Sequence, residues 1–211
     1  MCLIQAGAQV RMRDRGRRAM TTMAMMHRPG RPRWRRIRVP AAMLLAGAAV
    51  LAAAGAAGLR INISPSEPIG LWQVRGVTSQ IALRPGDMVT FCAPVHRYAF
   101  LEPGNCPNGL APFLKQIAAG PGDVVREDSR GVAIDGHELP DSRPLARAVG
   151  DDIALPQWRG RITLAAGQYW TYGSGWPRLS FDSRYWGPLP RGLIRNVARP
   201  VLVWNSHIWL P

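Results

Sequence analysis

Of the 27 basic side chains in this 211-residue chain, 26 are Arg and one is Lys, at position 115. Arg keeps its proton inside a protein, whereas a buried Lys can release its own and act as a base. Lys115 sits in the apolar run Phe113-Leu114-Lys115-Gln116-Ile117. Burial there penalises the ammonium form, and lowering an ordinary Lys pKa of about 10.4 by roughly two or three units leaves a usable free amine. A neutral amine of this kind can take the proton of a hydroxyl that attacks a carbonyl. Hydroxyls stand in two other segments, Ser64-Pro-Ser66-Glu67-Pro68-Ile-Gly70 and Ser180-Phe-Asp182-Ser183-Arg184. Taken singly, each segment has a plainer reading: Ser66 as a turn residue beside Pro, Lys115 as a snorkelling edge residue, and Asp182 with Arg184 as a weak surface ion pair.

Other chemistries lack their parts. His27, His96, His137 and His207 fall in a basic arm, in polar turn-like stretches and near the C-terminus. None is placed like the base of a His-containing triad. No His stands at metal-ligand spacing from Cys92 or Cys106, so neither a metal site nor a cofactor is expected.

The elements that must position Ser66 and Lys115 read as strands. Short apolar runs recur between Gly and Pro: 70–74, 87–91, 113–119, 123–125, 131–134, 161–164, 168–172 and 192–204. They are mostly four to seven residues long and rich in Val, Ile and aromatics, a strand signature. Pro-Gly-Asp at 85–87 and at 121–123, and Asp-Gly at 135–136, mark turns. The expected fold is mainly β, an antiparallel domain over 60–211, with 140–160 as a loop or small insertion.

Ahead of it, residues 41–59 carry no charge and lie between Arg38 and Arg60. Their length suits one transmembrane helix, assigned to 39–59. A cleaved export signal and a buried Ala-rich helix are the competing readings. Residues 1–38 hold 11 Arg and one acid, Asp14, so most of the net charge of +14 lies there. This segment is expected to be a disordered arm kept in the cytoplasm by the positive-inside bias, which sends 60–211 across the membrane. The body is only mildly basic and shows no nucleic-acid motif, so no specific nucleic-acid partner is expected. The arm could touch DNA or anionic lipid non-specifically. In an oxidising compartment Cys92 and Cys106 would pair, the alternative being two free thiols.

The order of the blocks resembles the signal peptidases, serine proteases with a Ser/Lys dyad, and most closely their TraF-like conjugative-transfer members. Ser66-Glu67-Pro68-Ile-Gly70 matches a Ser-x-Pro-x-Gly block. Arg84-Pro-Gly-Asp87-Met-Val matches the next, and Lys115 keeps the family's distance to Pro121-Gly122-Asp123. Ser180-Phe-Asp182-Ser183-Arg184-Tyr-Trp-Gly187-Pro188 matches the last. The likeness covers about residues 60–204. Glu67, Gln116 and Ala119 depart from the usual residues at their positions, Glu67 most awkwardly, because its charge lies beside Ser66.

The resemblance implies a membrane-anchored serine endopeptidase of signal-peptidase fold, in the bacterial inner membrane with its catalytic domain on the periplasmic side. It implies Ser66 as nucleophile, Lys115 as general base, Ser180 orienting the base, and Ser64 with the Ser66 backbone N–H as oxyanion donors. Asp182 and Arg184 would form a structural ion pair. The implied partners are the lipid bilayer and a membrane-inserted precursor, a pilin or a signal-peptide-bearing protein, cut at small residues such as Ala-x-Ala. In some members an amine of the same chain resolves the acyl-enzyme and gives a cyclic product. The rival readings are a housekeeping signal peptidase and a non-catalytic membrane component of a transfer apparatus.

Overall fold

The computed structural model describes residues 34–150 and 152–204. Most of the arm expected to be disordered, residues 1–33, lies outside the described residues. Residues up to Leu45 form one unit, and the chain from Ala46 onward forms the other.

Helix α1 spans Trp34–Ala56, so it begins five residues before the expected 39 and ends three before the expected 59. Charge had set the first boundary, but Trp34 to Arg38 contain no strong helix breaker, and the helix runs through them. Gly58 sets the second. Its φ is +79°, and a Cβ there would lie 2.3 Å from the Val74 carbonyl oxygen. The helix therefore ends in a glycine turn that packs directly on the sheet, with the Val74 N–H donating to the Gly58 carbonyl at 2.9 Å. The stretch Arg38–Ala56 has a mean hydropathy of 2.0 and no buried residues, so it is long and apolar enough to cross a membrane.

The rest is antiparallel β structure, as its short Val- and aromatic-rich runs predict. The strands are β1 Leu59–Asn62, β2 Ile69–Gly76, β3 Met88–Phe91, β4 Phe113–Ala119, β5 Val124–Asp128, β6 Gly131–Ile134, β7 His137–Glu138, β8 Gly160–Thr163, β9 Gln168–Tyr172, β10 Leu189–Pro190 and β11 Ile194–Trp204. Seven form one sheet in the order β1-β2-β11-β3-β4-β9-β10, and four form a second in the order β7-β6-β5-β8. Strands β1, β7 and β10 had no counterpart among the expected runs, being too short or too polar to show a period of two. The described residues between 140 and 159 form no strand, only an isolated bridge between Arg147 and Ala154, and β8 begins at Gly160.

Two features of this topology matter for the site. Strand β4 is interior, with Val89 of β3 opposite Lys115 and Tyr172 of β9 opposite Gln116. An edge-strand reading of Lys115 is thereby excluded. The two Pro-Gly-Asp turns, one leading into β3 and one following β4, are closed alike. Asp87 Oδ2 accepts from the Arg84 N–H, and Asp123 Oδ2 from the Gly120 N–H, both at 2.8 Å.

The core has two main parts. Val89, Phe91, Ile117, Tyr169, Leu189 and Ile194 pack within the large sheet. Ala119, Val125, Val132, Leu164 and Trp170 join it to the small one.

Cys92 and Cys106 form a disulfide, with Cα atoms 5.6 Å apart. Just beyond the loop they close, the Asn108 side chain donates back to the Ala93 and Val95 carbonyls, both at 3.0 Å. A cross-link over a loop of this size limits the unfolded chain and contributes about 3 kcal/mol. The Cys92→Ser, Cys106→Ser double variant should lose about that much in equilibrium urea unfolding.

Candidate active site

The segment 63–68 carries Ser64 and Ser66 between β1 and β2, and Asn62 at the end of β1 organises it. Asn62 Nδ2 donates to the carbonyls of Ser64, Glu67 and Pro68 at 3.0, 3.1 and 3.0 Å. Its Oδ1 accepts from the Ser64 N–H at 3.1 Å. One amide thus ties four backbone groups into a turn that presents two serine hydroxyls. Trp72 Nε1 donates to the Pro68 carbonyl at 3.1 Å and closes the turn against β2.

Ser64 is exposed and Ser66 is buried. Their hydroxyl oxygens are 3.0 Å apart. Lys115 Nζ reaches from β4 to 2.6 Å from Ser66 Oγ and 2.9 Å from the Leu114 carbonyl oxygen. Lys115 is only 4% exposed. Burial holds its amine below the usual Lys range, while the charges of Glu67 and Asp182 push the other way and Arg184 reinforces burial. The apolar setting of β4 and the 49-residue separation of the two groups are thus resolved into one contact.

Segment 173–175, directly after β9, supplies the opposite wall. The Gly175 N–H donates to the Ser66 carbonyl at 3.0 Å. The Ser174 N–H and hydroxyl donate to the Glu67 carboxylate. The Gly173 N–H donates to Asp182 Oδ2 at 3.1 Å. The glycines are required by space. A Cβ on Gly173 would lie 2.3 Å from the Ser180 hydroxyl, and one on Gly175 would lie 2.8 Å from the Glu67 backbone. Sequence reasoning missed Asn62 and this segment. Their only signals were an Asn two residues before Ser64 and the pair of glycines in Tyr172-Gly-Ser-Gly-Trp176.

Asp182 and Arg184, expected as an ion pair, are both fully buried. Arg184 Nε meets Asp182 Oδ1 at 2.7 Å, and Nη2 meets Oδ2 at 2.9 Å, a two-point fork. Nη2 also donates to the Pro177 and Ser180 carbonyls at 2.6 and 2.9 Å, and the guanidinium lies 4.9 Å from the centre of the Tyr172 ring. The one-turn helix α2, Ser183–Trp186, begins here with Asp182 as its cap. Ser183 Oγ accepts from the Thr171 N–H at 2.9 Å and fastens α2 to β9.

Ser180 departs from expectation. Its Oγ is buried and makes no hydrogen bond with any described residue. The Leu114 carbonyl holds the amine instead. Arg184 fixes the Ser180 backbone, and the side chain lies against Gly173.

This constellation can be set beside known proteins. Residues 31–204 match the family model of signal peptidase, peptidase S26. The chain belongs to the signal peptidase family. It is 32% identical to the conjugal transfer protein TraF of Agrobacterium fabrum over 172 residues, 78% of this chain and 93% of that one. A plasmid transfer protein TraF of Escherichia coli is 33% identical over 79% of this chain and 97% of its own length. A signal peptidase I of Enterococcus faecalis aligns loosely with 56% of the chain, at a TM-score of 0.32 and 19% identity. In this member of the signal peptidase family, an apolar cavity of about 140 Å³ borders segment 173–175, lined by Pro85, Gly86, Ile117, Ala118, Tyr172 and Ser174 among others.

Because Asp182 and Arg184 neutralise each other without solvent, removing one leaves an uncompensated charge. Arg184→Met should destabilise the protein by about 3–5 kcal/mol in urea unfolding. Combining it with Asp182→Leu should restore part of that loss.

Proposed function

We propose that this protein is a membrane-anchored serine endopeptidase that matures exported, membrane-tethered precursors for a conjugative transfer system. Ser66 is the nucleophile and Lys115 the general base. The observation that carries the reading is the 2.6 Å contact between Lys115 Nζ and Ser66 Oγ, both out of water.

The chemistry follows from that contact. As a neutral amine, Lys115 takes the Ser66 proton while Oγ attacks the scissile carbonyl. The oxyanion that forms is met by the Ser66 N–H and the Ser64 hydroxyl, which turns from Ser66 Oγ to the new charge. Collapse expels the new amino terminus, protonated by Lys115, and leaves an acyl-enzyme on Ser66. Water, activated by Lys115 in turn, releases the acid and regenerates the serine. The 140 Å³ apolar cavity beside Ser174 suits an apolar substrate side chain.

Two further observations support the setting. The apolar part of α1 ends at Ala56, ten residues before Ser66, so the site lies within at most about 36 Å of chain from the helix end. An active site tethered that closely to a membrane helix suits a substrate emerging from the same bilayer. The relatives bearing the TraF name are conjugal or plasmid transfer proteins, which points to a precursor of the transfer apparatus such as a pilin. The arginines before α1 favour its N-terminal side in the cytoplasm and the β domain in the periplasm.

In membranes containing a candidate pilin precursor, the wild type should cut, whereas Ser66→Ala, Lys115→Ala and Lys115→Arg should not, although all insert and fold. Lys115→Arg fails because Arg cannot yield its proton. Ser64→Ala should lower the rate on the order of 100-fold. The acid limb of kcat/KM should rise tenfold per pH unit until Lys115 deprotonates, at a pH below the ordinary Lys range. Cleavage by Ser66→Ala at the wild-type rate would overturn the assignment.

A further inference from the structure

Glu67 immediately follows Ser66 and is 1% exposed. A carboxyl group is seldom buried so completely unless it is paired or hydrogen-bonded. Its oxygens accept from the Ser174 N–H at 3.1 and 3.3 Å and from the Ser174 hydroxyl. Beside these bonds the Gly175 N–H donates to the Ser66 carbonyl. The carboxylate therefore fastens the nucleophile's own backbone to the facing segment 173–175. It does so next to the one amine whose charge the chemistry depends on.

We propose that Glu67 is a positioning residue that acts through Lys115: it clamps the Ser66 turn to Ser174, and its carboxyl charge decides how readily the Lys115 amine gives up its proton. The proposal rests on the Ser66/Lys115 reading and extends it to a residue that departs from the usual family block.

The groups around the two sites are few. Glu67 is faced by Lys115 from β4, by Ser174 after β9 and by Asp182 before α2. Lys115 is faced by Glu67, Asp182 and Arg184. Burial pushes Glu67 up to about 7, against the opposing effects of Lys115 and the Ser174 hydrogen bonds. Burial drives Lys115 the other way. Two such groups titrate as a pair. An ionised Glu67 holds the proton on Lys115 and keeps the base idle. A protonated Glu67 still accepts from the Ser174 N–H, and it lets the amine go free. The sign is fixed: removing the negative charge lowers the pH at which Lys115 deprotonates.

The chain has a single lysine, which makes the effect directly observable. Full-length protein in lipid nanodiscs, labelled with lysine carrying ¹³C at Cε, gives one lysine side-chain resonance. Its titration reports Lys115 without any substrate. Glu67→Gln, which keeps an acceptor for Ser174, should move the midpoint down by about one pH unit. The acid limb of cleavage should move with it, giving about tenfold more activity at pH values below the limb. Ser174→Ala removes one bond to the charged carboxylate and should move the midpoint in the same direction by less. That variant carries the test if Glu67→Gln does not fold. A purely structural clamp would lower activity and leave the midpoint where it was. Identical midpoints in wild type and the folded variant would overturn the proposal. A wild type that never cleaves, with a midpoint that still responds to Glu67, would instead overturn the peptidase reading alone.

Discussion

Keeping one amine out of water is the constraint on which this structure depends. Lys115 can be buried only because β4 is an interior strand, flanked by β3 and β9 in the large sheet. A Lys in an edge strand would extend its ammonium into solvent and remain charged. The cost of burying the ammonium form holds the amine below the usual Lys range, so the sheet order itself sets that shift. The Ser66 turn must then be delivered to Nζ from a different part of the sheet. That is the task of β1 and β2, of Asn62, and of the bonds from Ser174 and Gly175.

The fork between Asp182 and Arg184 solves the companion problem of rigidity. Segment 173–182 after β9 has little regular structure, yet it must hold its place to within a fraction of an ångström beside Ser66. Arg184 binds two carbonyls of that segment while its charge is met by Asp182, and Asp182 holds the Gly173 N–H. Each polar atom answers another, so the burial is tolerated. Glu127 shows what happens without such answers. Both of its carboxylate oxygens lie buried with no hydrogen bond to a described residue, and burial pushes its carboxyl up to about 8.

What could be read from the sequence, and what could not, divides by range. The β class was legible because apolar runs of four to seven residues between turn signals depend on local periodicity alone. Lys115 was legible because its type is singular in the chain and its neighbours are apolar. The disulfide was legible because only two cysteines fall in the β domain. The role of Asn62 was not, since its bonds run to backbone carbonyls that any sequence would offer. Glu67 looked awkward because its answering group, Ser174, is 107 residues away. Segment 173–175 was invisible for the same reason: its glycines are demanded by Ser180, Glu67 and Pro65, which only the fold brings there. Helix α1 begins ahead of its apolar stretch, at Trp34, because the residues before Arg38 include no strong helix breaker.

The nearly complete use of Arg in this chain becomes intelligible at the two buried bases. Arg184 lies in the same neighbourhood as Lys115 and is no less buried, but its proton is held more firmly than usual by Asp182. Lys115 has no carboxylate at bonding distance among the described residues, only a hydroxyl and a carbonyl, and burial loosens its proton. A guanidinium suits a site that must stay charged and reach several oxygens at once. An amine suits the general base proposed here, which would lose its charge and regain it within one turnover. At exposed positions such as Arg130 and Arg147 a basic residue is largely solvated, and Arg serves as well as Lys. Positions 115 and 184 are where the two residues stop being interchangeable, and at 115 the chain departs from Arg.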